Sequence, residues 1–203
     1  MWSIPIYGIS IRPKRKANFL KRIGTLRRHV KVVLGVNGAT LKPRHSCAPG
    51  VTLTRGQIGC FCSHRQIWKK ILKAGHRYAC IFEDDVSFRP GFVQRTLQAV
   101  TYLSKHKPQW DVIYLGRNPK NRHNKGSAGP GLVVSGESWG MFAYLVSRRG
   151  VRKLLAHAKV QKFTCPCDVL LSNLGLQGHL NCYALTPCVC GYQRLGSDTR
   201  GIK

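Results

Sequence analysis

Tyr78-Ala79-Cys80-Ile81-Phe82 is an apolar run of strand character, and it ends directly in three carboxylates, Glu83-Asp84-Asp85. Adjacent carboxylates repel and are hard to keep ionised together without a cation. At the end of a buried strand, in the crevice of an α/β sheet, they make a seat for a divalent metal. Strand alternation would put Glu83 and Asp85 on the same side. Elsewhere such a triplet decorates a solvated turn. Composition argues against decoration here. The chain has 7 acidic residues against 34 Lys and Arg, and no acid precedes Glu83. The other acids, Asp111, Glu137, Asp168 and Asp198, stand singly. The cluster points to a metal-dependent enzyme acting on a phosphorylated substrate.

Outward from this strand, elements alternate. Ile4 to Ile11 reads as a first strand, and Pro13 suits the first turn of a helix with Phe19, Leu20, Ile23 and Leu26 on its apolar face. His29 to Val36 is a β-branched strand ending at Asn37-Gly38. Thr54 and Gln57 stand at capping-box positions before a helix bearing Ile58, Phe61, Ile67, Trp68, Ile71 and Leu72, which Gly75 ends. A helix from Pro90 follows the acids, then a strand from Trp110 to Leu115. Residues 116–138, rich in Gly, Asn, Lys and Ser, are expected to form a long mobile loop able to act as a lid. Trp139 to Val146 reads as a strand, Arg148 to Ala158 as a helix, Asp168 to Leu176 as a short helix and Leu180 to Leu185 as the last strand. The tail from Pro187 reads as irregular. This order predicts one α/β domain over residues 1–203, an open, mostly parallel sheet flanked by helices.

The formal charge of +27 implies attraction to polyanions: nucleic acid, an anionic membrane surface or phosphorylated ligands. Nine cysteines include Cys60/Cys62, Cys165/Cys167 and Cys188/Cys190, with no C-x-x-C zinc spacing. They are expected to be reduced and structural, favouring a reducing compartment. No stretch is long and apolar enough to span a membrane, and the start lacks the order of a signal peptide, so a cytoplasmic protein is expected.

Several blocks in order resemble glycosyltransferase family 25. Leu53-Thr54-Arg55-Gly56-Gln57-Ile58-Gly59-Cys60 with Ser63-His64 resembles its "LTxGEIGCxxSH" block, and Ile81 to Asp85 its "hxEDD" metal motif. Trp110 to Gly116 resembles "WDhhhLG", and Ala143 to Gly150 resembles "AYhhSxxGA". Pro166-Cys167-Asp168 stands at a "PhD" position, and Pro187 with Ser197-Asp198 at the terminal "P…SD". The resemblance runs from about Ile4 to Thr199. It departs at Gln57, at Asn37-Gly38 in place of "DG", and at Gly8 to Arg15, which lacks the Asn of "NLxRxxxR".

The resemblance implies a GT-A-like fold and inverting transfer of a hexose, galactose or glucose, from a UDP-sugar. The acceptor would be a glycan, such as lipooligosaccharide, or a hydroxylysine of collagen type. It implies Mn2+ or Mg2+, with Asp85 and Glu83 on the metal and Asp84 turned to donor hydroxyls. Direct displacement needs a base for the acceptor proton. Asp168 is the first candidate, with a helix cap as its other reading, and Glu137 the next. Arg12 and Arg15 are candidates to clamp the diphosphate, and His64 has readings as a donor-site group or a buried core histidine. Asp198 either completes the metal or donor site or caps the tail. Asp111, between Trp110 and Val112, reads as structural. The competing function is a polyanion- or nucleic-acid-binding protein on a decayed scaffold. Stacking platforms and nucleic-acid-binding signatures are not evident, and the intact acidic triplet opposes decay. A phosphohydrolase using the same metal seat lacks family support.

Overall fold

A computed structural model of the chain describes residues 2–41, 47–120, 122–157 and 162–193. Asp198 lies outside the described residues. In chain order the elements are β1 (Ile6–Ser10), α1 (Pro13–Arg22), a 3-10 segment (Gly24–His29), β2 (Val30–Leu34), a 3-10 turn (Gly38–Thr40), α2 (Arg55–Lys73), β3 (Tyr78–Glu83) and β4 (Val86–Phe88). Then follow α3 (Phe92–His106), β5 (Val112–Tyr114), β6 (Arg122–Gly129), β7 (Leu132–Ser138), β8 (Ala143–Ser147), α4 (Arg148–Ala156), α5 (Cys167–Leu176), β9 (Cys182–Leu185) and β10 (Cys190–Tyr192).

The main sheet has the order β2-β1-β3-β8-β5-β9-β7-β6. β2, β1 and β3 are parallel, as are β5 and β9; β8 opposes both β3 and β5, and β7 opposes both β9 and β6. Within this sheet, β8 and β7 therefore run against the common direction. The α/β class with flanking helices is as the sequence implies.

Alternation along β3 explains why its run is wholly apolar. Ala79 and Ile81 face Phe61, Trp68 and Ile71 of α2, Leu154 of α4, and Leu170 and Leu174 of α5. Cys80 and Phe82 face the opposite layer, with Phe19 of α1 and Phe92, Val100 and Leu103 of α3. A strand covered on both faces reads as a continuous hydrophobic run.

Residues 116–138 depart from the expected mobile loop. They carry the β6–β7 hairpin, which joins the sheet because Leu132, Val133 and Val134 of β7 pair with Leu185, Ala184 and Tyr183 of β9. β6 itself is Arg-His-Asn-Lys-Gly-Ser-Ala-Gly, mostly exposed, and is a strand because β7 offers it a free edge. The irregular tail also needs correcting: Cys190–Tyr192 pairs antiparallel with Val86–Phe88 in a second, two-stranded sheet. That pairing straps the chain across the segment that follows the acids.

Strand register puts the chemistry at one edge. Ile9 of β1 pairs with Glu83 of β3, Phe82 with Ala143 of β8, and Tyr114 of β5 with both Tyr144 and Ala184. The carboxyl ends of β1, β3, β5 and β9 thus lie together, where α/β sheets build their binding crevices.

Candidate active site

The three acids turn to different partners. Asp84 and Asp85 form the turn between β3 and β4, so strand alternation ends at Glu83. Asp84 points inward and is 7% exposed. Its carboxylate accepts from Ser10 Oγ at 2.6 Å and pairs with Arg15 Nε at 2.9 Å. Its backbone carbonyl accepts from Arg22, whose Nε also donates to the carbonyl of Val86 at 3.0 Å. α1 thereby locks the acidic turn from one side. It starts where Pro13 can occupy the first turn without losing a hydrogen bond, which brings Arg15 and Arg22 onto the turn. Arg12 is at the N-cap of α1, exposed.

Asp85 is held differently. Its carbonyl accepts from the amide of Gln193 at 2.8 Å, just past β10. Its carboxylate lies 3.9 Å from Arg15, and its Oδ1 is buried with no hydrogen-bond partner. Burial, then the neighbouring charge of Glu83, pushes the Asp85 carboxyl up to about 7 against the pull of Arg15. A buried carboxylate oxygen without a donor, next to a second carboxylate, is the electrostatic signature of a cation seat. The residues present therefore fit a divalent ion, with Asp85 and Glu83 as its candidate ligands.

Glu83 faces α2. Its Oε1 lies 3.2 Å from Nε2 of the fully buried His64 and 3.9 Å from Cys60 Sγ. Nδ1 of His64 is 3.0 Å from the Tyr144 hydroxyl, which also accepts from Trp68 Nε1 at 3.0 Å. Trp68, Tyr144, His64 and Glu83 thus form one chain of polar contacts through the core. Cys60, His64 and Trp68 are spaced by four residues and share one helix face. The helix is set by its capping box: Thr54 Oγ1 accepts from the Gln57 amide at 3.1 Å, and Gln57 Oε1 accepts from the Thr54 amide at 2.8 Å. Gln performs this task as Glu does, so the departure at Gln57 leaves the helix start intact.

Asp168 lies in the first turn of α5, after an N-cap at Pro166. Its Oδ2 accepts from the Gly140 amide at 3.1 Å and its Oδ1 from the Val169 amide at 2.9 Å. Burial, then Glu83, Cys167 and Asp168, pushes the Cys60 thiol well up. Gly140, which Asp168 holds, lies just before β8, whose Ala143 pairs with Phe82 next to Glu83, so the two carboxylates lie at the same edge of the sheet. The Tyr114 hydroxyl, buried without a hydrogen-bond partner, is raised by burial and then by Cys182 and Asp168.

Glu137 sits on β7 with its carboxylate 3.4 Å from His123 of β6, both side chains exposed. No contact among the described residues joins it to the triplet. Asp111 is fully buried before the other end of β5, held by Arg149 at 3.0 Å, by Lys153 at 2.8 Å and by the Asn181 amide at 2.8 Å. It ties α4 to the sheet, as its flanking residues suggest. The sequence reasoning passed over Ser10, Arg22, Cys60, Tyr144 and Trp68. Of these, Cys60 had a usable signal, four residues before His64.

The model of glycosyltransferase family 25 (LPS biosynthesis protein) matches residues 3–171. The chain belongs to glycosyltransferase family 25. It is 34% identical over 181 residues to the probable inactive glycosyltransferase 25 family member 3 of Rattus norvegicus, covering 82% of this chain and 32% of that protein. It is 34% identical over 166 residues to procollagen galactosyltransferase 1-A of Xenopus laevis, covering 74% of this chain and 27% of that protein. It is 35% identical over 120 residues to a glycosyltransferase 25 family member of Aedes aegypti, covering 57% and 19%. The chain spans about a third or less of the length of these curated relatives. No helix among the described residues is long and apolar enough to cross a membrane.

Proposed function

We propose that this family 25 domain is a metal-dependent inverting glycosyltransferase. It moves galactose or glucose from a UDP-sugar to a hydroxyl of a glycan or of a hydroxylysine-type acceptor. The observation that carries this reading is Asp85, whose buried oxygen lacks a donor and whose carboxyl is pushed up to about 7 beside Glu83. Asp85 and Glu83 would hold Mn2+ or Mg2+, which supplies Lewis-acid stabilisation of the departing diphosphate. Arg15 and Arg22 bring two guanidinium groups to the same turn, where they are candidates to contact the phosphates. Asp84, engaged by Ser10 and Arg15, keeps that turn in place. As the acceptor oxygen bonds to the anomeric carbon and the bond to the diphosphate breaks, Asp168 takes the acceptor proton. The Gly140 and Val169 amides fix its orientation. Procollagen galactosyltransferase among the relatives supports galactose and an acceptor of collagen type.

A second reading has its own support. The chain also matches relatives named inactive, and its charge of +27 suits a polyanion binder on a silent scaffold. One assay separates the two: UDP release from UDP-galactose and UDP-glucose with Mn2+, with and without acceptor. The transferase reading expects turnover abolished by EDTA. Asp168→Asn should lower kcat to acceptor about 100- to 10,000-fold while donor affinity holds. Turnover undiminished by EDTA would remove the metal from the mechanism. Absent turnover, with nucleic-acid binding that falls steeply with salt, would favour the binder.

A further inference from the structure

The partners of Glu83 form a cluster of a different chemical kind from the acidic turn. Cys60, His64 and Glu83 each turn one ligand atom to a common point, with the three atoms within 4.8 Å of one another. Two of the separations are 3.2 Å and 3.9 Å. A tetrahedral Zn2+ with bonds of about 2.0–2.3 Å sets its ligand atoms about 3.3–3.8 Å apart. We infer that Cys60, His64 and Glu83 form a three-ligand site for a borderline-soft divalent cation of the Zn2+ or Co2+ class, with water completing the tetrahedron.

The chemistry of the set selects this class. One thiolate, one imidazole and one carboxylate favour Zn2+ or Co2+ over Mn2+, Mg2+ or Ca2+, which seek oxygen. On binding, the Cys60 S–H bond breaks, the proton leaves to solvent and a metal–sulfur bond forms. Thiolate and carboxylate then cancel the cation's charge, which suits a half-buried position. The imidazole is already oriented as such ligands need: its other nitrogen is engaged by Tyr144, and Tyr144 is fixed by Trp68. Two ligands come from one rigid helix and the third from a strand, so little order must be created on binding. Glu83 is shared with the Asp85 seat, so filling one site draws on the other.

The full chain titrated with Co2+ should develop a thiolate-to-cobalt charge-transfer absorption and the visible bands of a tetrahedral site, both displaced by Zn2+. Cys60→Ser should abolish the charge-transfer absorption, and Cys47→Ser should keep it. On the unmutated protein, Zn2+ should slow alkylation of Cys60, read residue by residue by mass spectrometry, by about tenfold or more. Mn2+ should not slow it. Charge transfer that survives Cys60→Ser, or Cys60 alkylation indifferent to Zn2+, overturns the inference. In the latter case the three side chains are only a hydrogen-bonded support for Glu83. The alkylation arm decides alone if Cys60→Ser does not fold. Neither readout uses sugar transfer, so failure here leaves the transferase reading standing, and the converse holds.

Discussion

Replacing Asp85 by Asn should stabilise the metal-free protein while removing metal-dependent turnover. The Asp85 carboxyl is raised from 3.8 to about 7 in the fold, chiefly by burial and then by Glu83. A carboxyl with a raised folded value keeps its proton when the unfolded chain has already lost it. Its contribution is therefore fully present below pH 3.8 and is lost as pH rises towards about 7. At about 1.4 kcal/mol per tenfold in proton affinity, ionising Asp85 in the folded chain costs about 4 kcal/mol. Asn carries no such cost at any pH. Urea unfolding in EDTA should show the variant and the natural protein closest in stability near pH 4. The variant should lead by a margin that widens to about 4 kcal/mol by pH 8. Saturating Mn2+ should close the gap for the natural protein alone, since it binds only the folded Asp85 form. A stability difference that does not change with pH would refute the assignment of a buried, charge-repelled Asp85. So would an Asp85→Asn protein that is the less stable of the two at pH 8 in EDTA.

Two further substitutions test the frame around the site. Asp111→Asn leaves the partly exposed Arg149 and Lys153 facing a neutral group, and should cost about 1–3 kcal/mol in chemical unfolding with kinetics per folded molecule unchanged. Gly59→Ala places a methyl group 2.6 Å from the Val36 carbonyl and 2.8 Å from the Gly38 amide. It should push α2 off the 3-10 turn, lower stability by about 1–3 kcal/mol and disturb the Glu83 contacts of Cys60 and His64, seen as faster alkylation of Cys60.

Much of the frame was legible because local signals and burial agree. The run Tyr78 to Phe82 is apolar on both faces because both faces are covered, and Thr54 and Gln57 read as a capping box because they make one. The β6–β7 hairpin was not legible in the same way. β6 has no β-branched residue, and its strand state comes from β7, which is itself recruited by β9. The Gly129-Pro130-Gly131 turn beside Leu132-Val133-Val134 was the available signal. The three-residue strands β4 and β10 are too short to show a period, and they exist because each gives the other its hydrogen bonds. At the site, sequence alternation stops where the turn begins. The division of labour among Glu83, Asp84 and Asp85 therefore depended on partners distant in sequence, Ser10 at one side and His64 at the other.

The same asymmetry bears on whether this scaffold is silent. Asp84 is satisfied by Ser10 and Arg15, and Asp111 by Arg149, Lys153 and a backbone amide. Asp85 differs: its Oδ1 is buried without a donor, and its ionisation is opposed by burial and by Glu83. Asp84 and Asp111 act as structural acids whose charges are met inside the fold. Asp85 is an acid whose charge the fold meets only in part, through Arg15 at 3.9 Å, in a chain that carries 7 acids against 34 bases. A protein that used this edge only to attract polyanions would gain from a neutral residue there, both in stability and in positive field. A carboxylate whose ionisation is opposed by burial and by Glu83 is what the proposed cation-dependent reaction at this turn would use. This is also why Asp85→Asn separates the two readings. The binder reading expects the substituted protein to be more stable and to bind polyanions at least as well, and the transferase reading expects it to be more stable and inert.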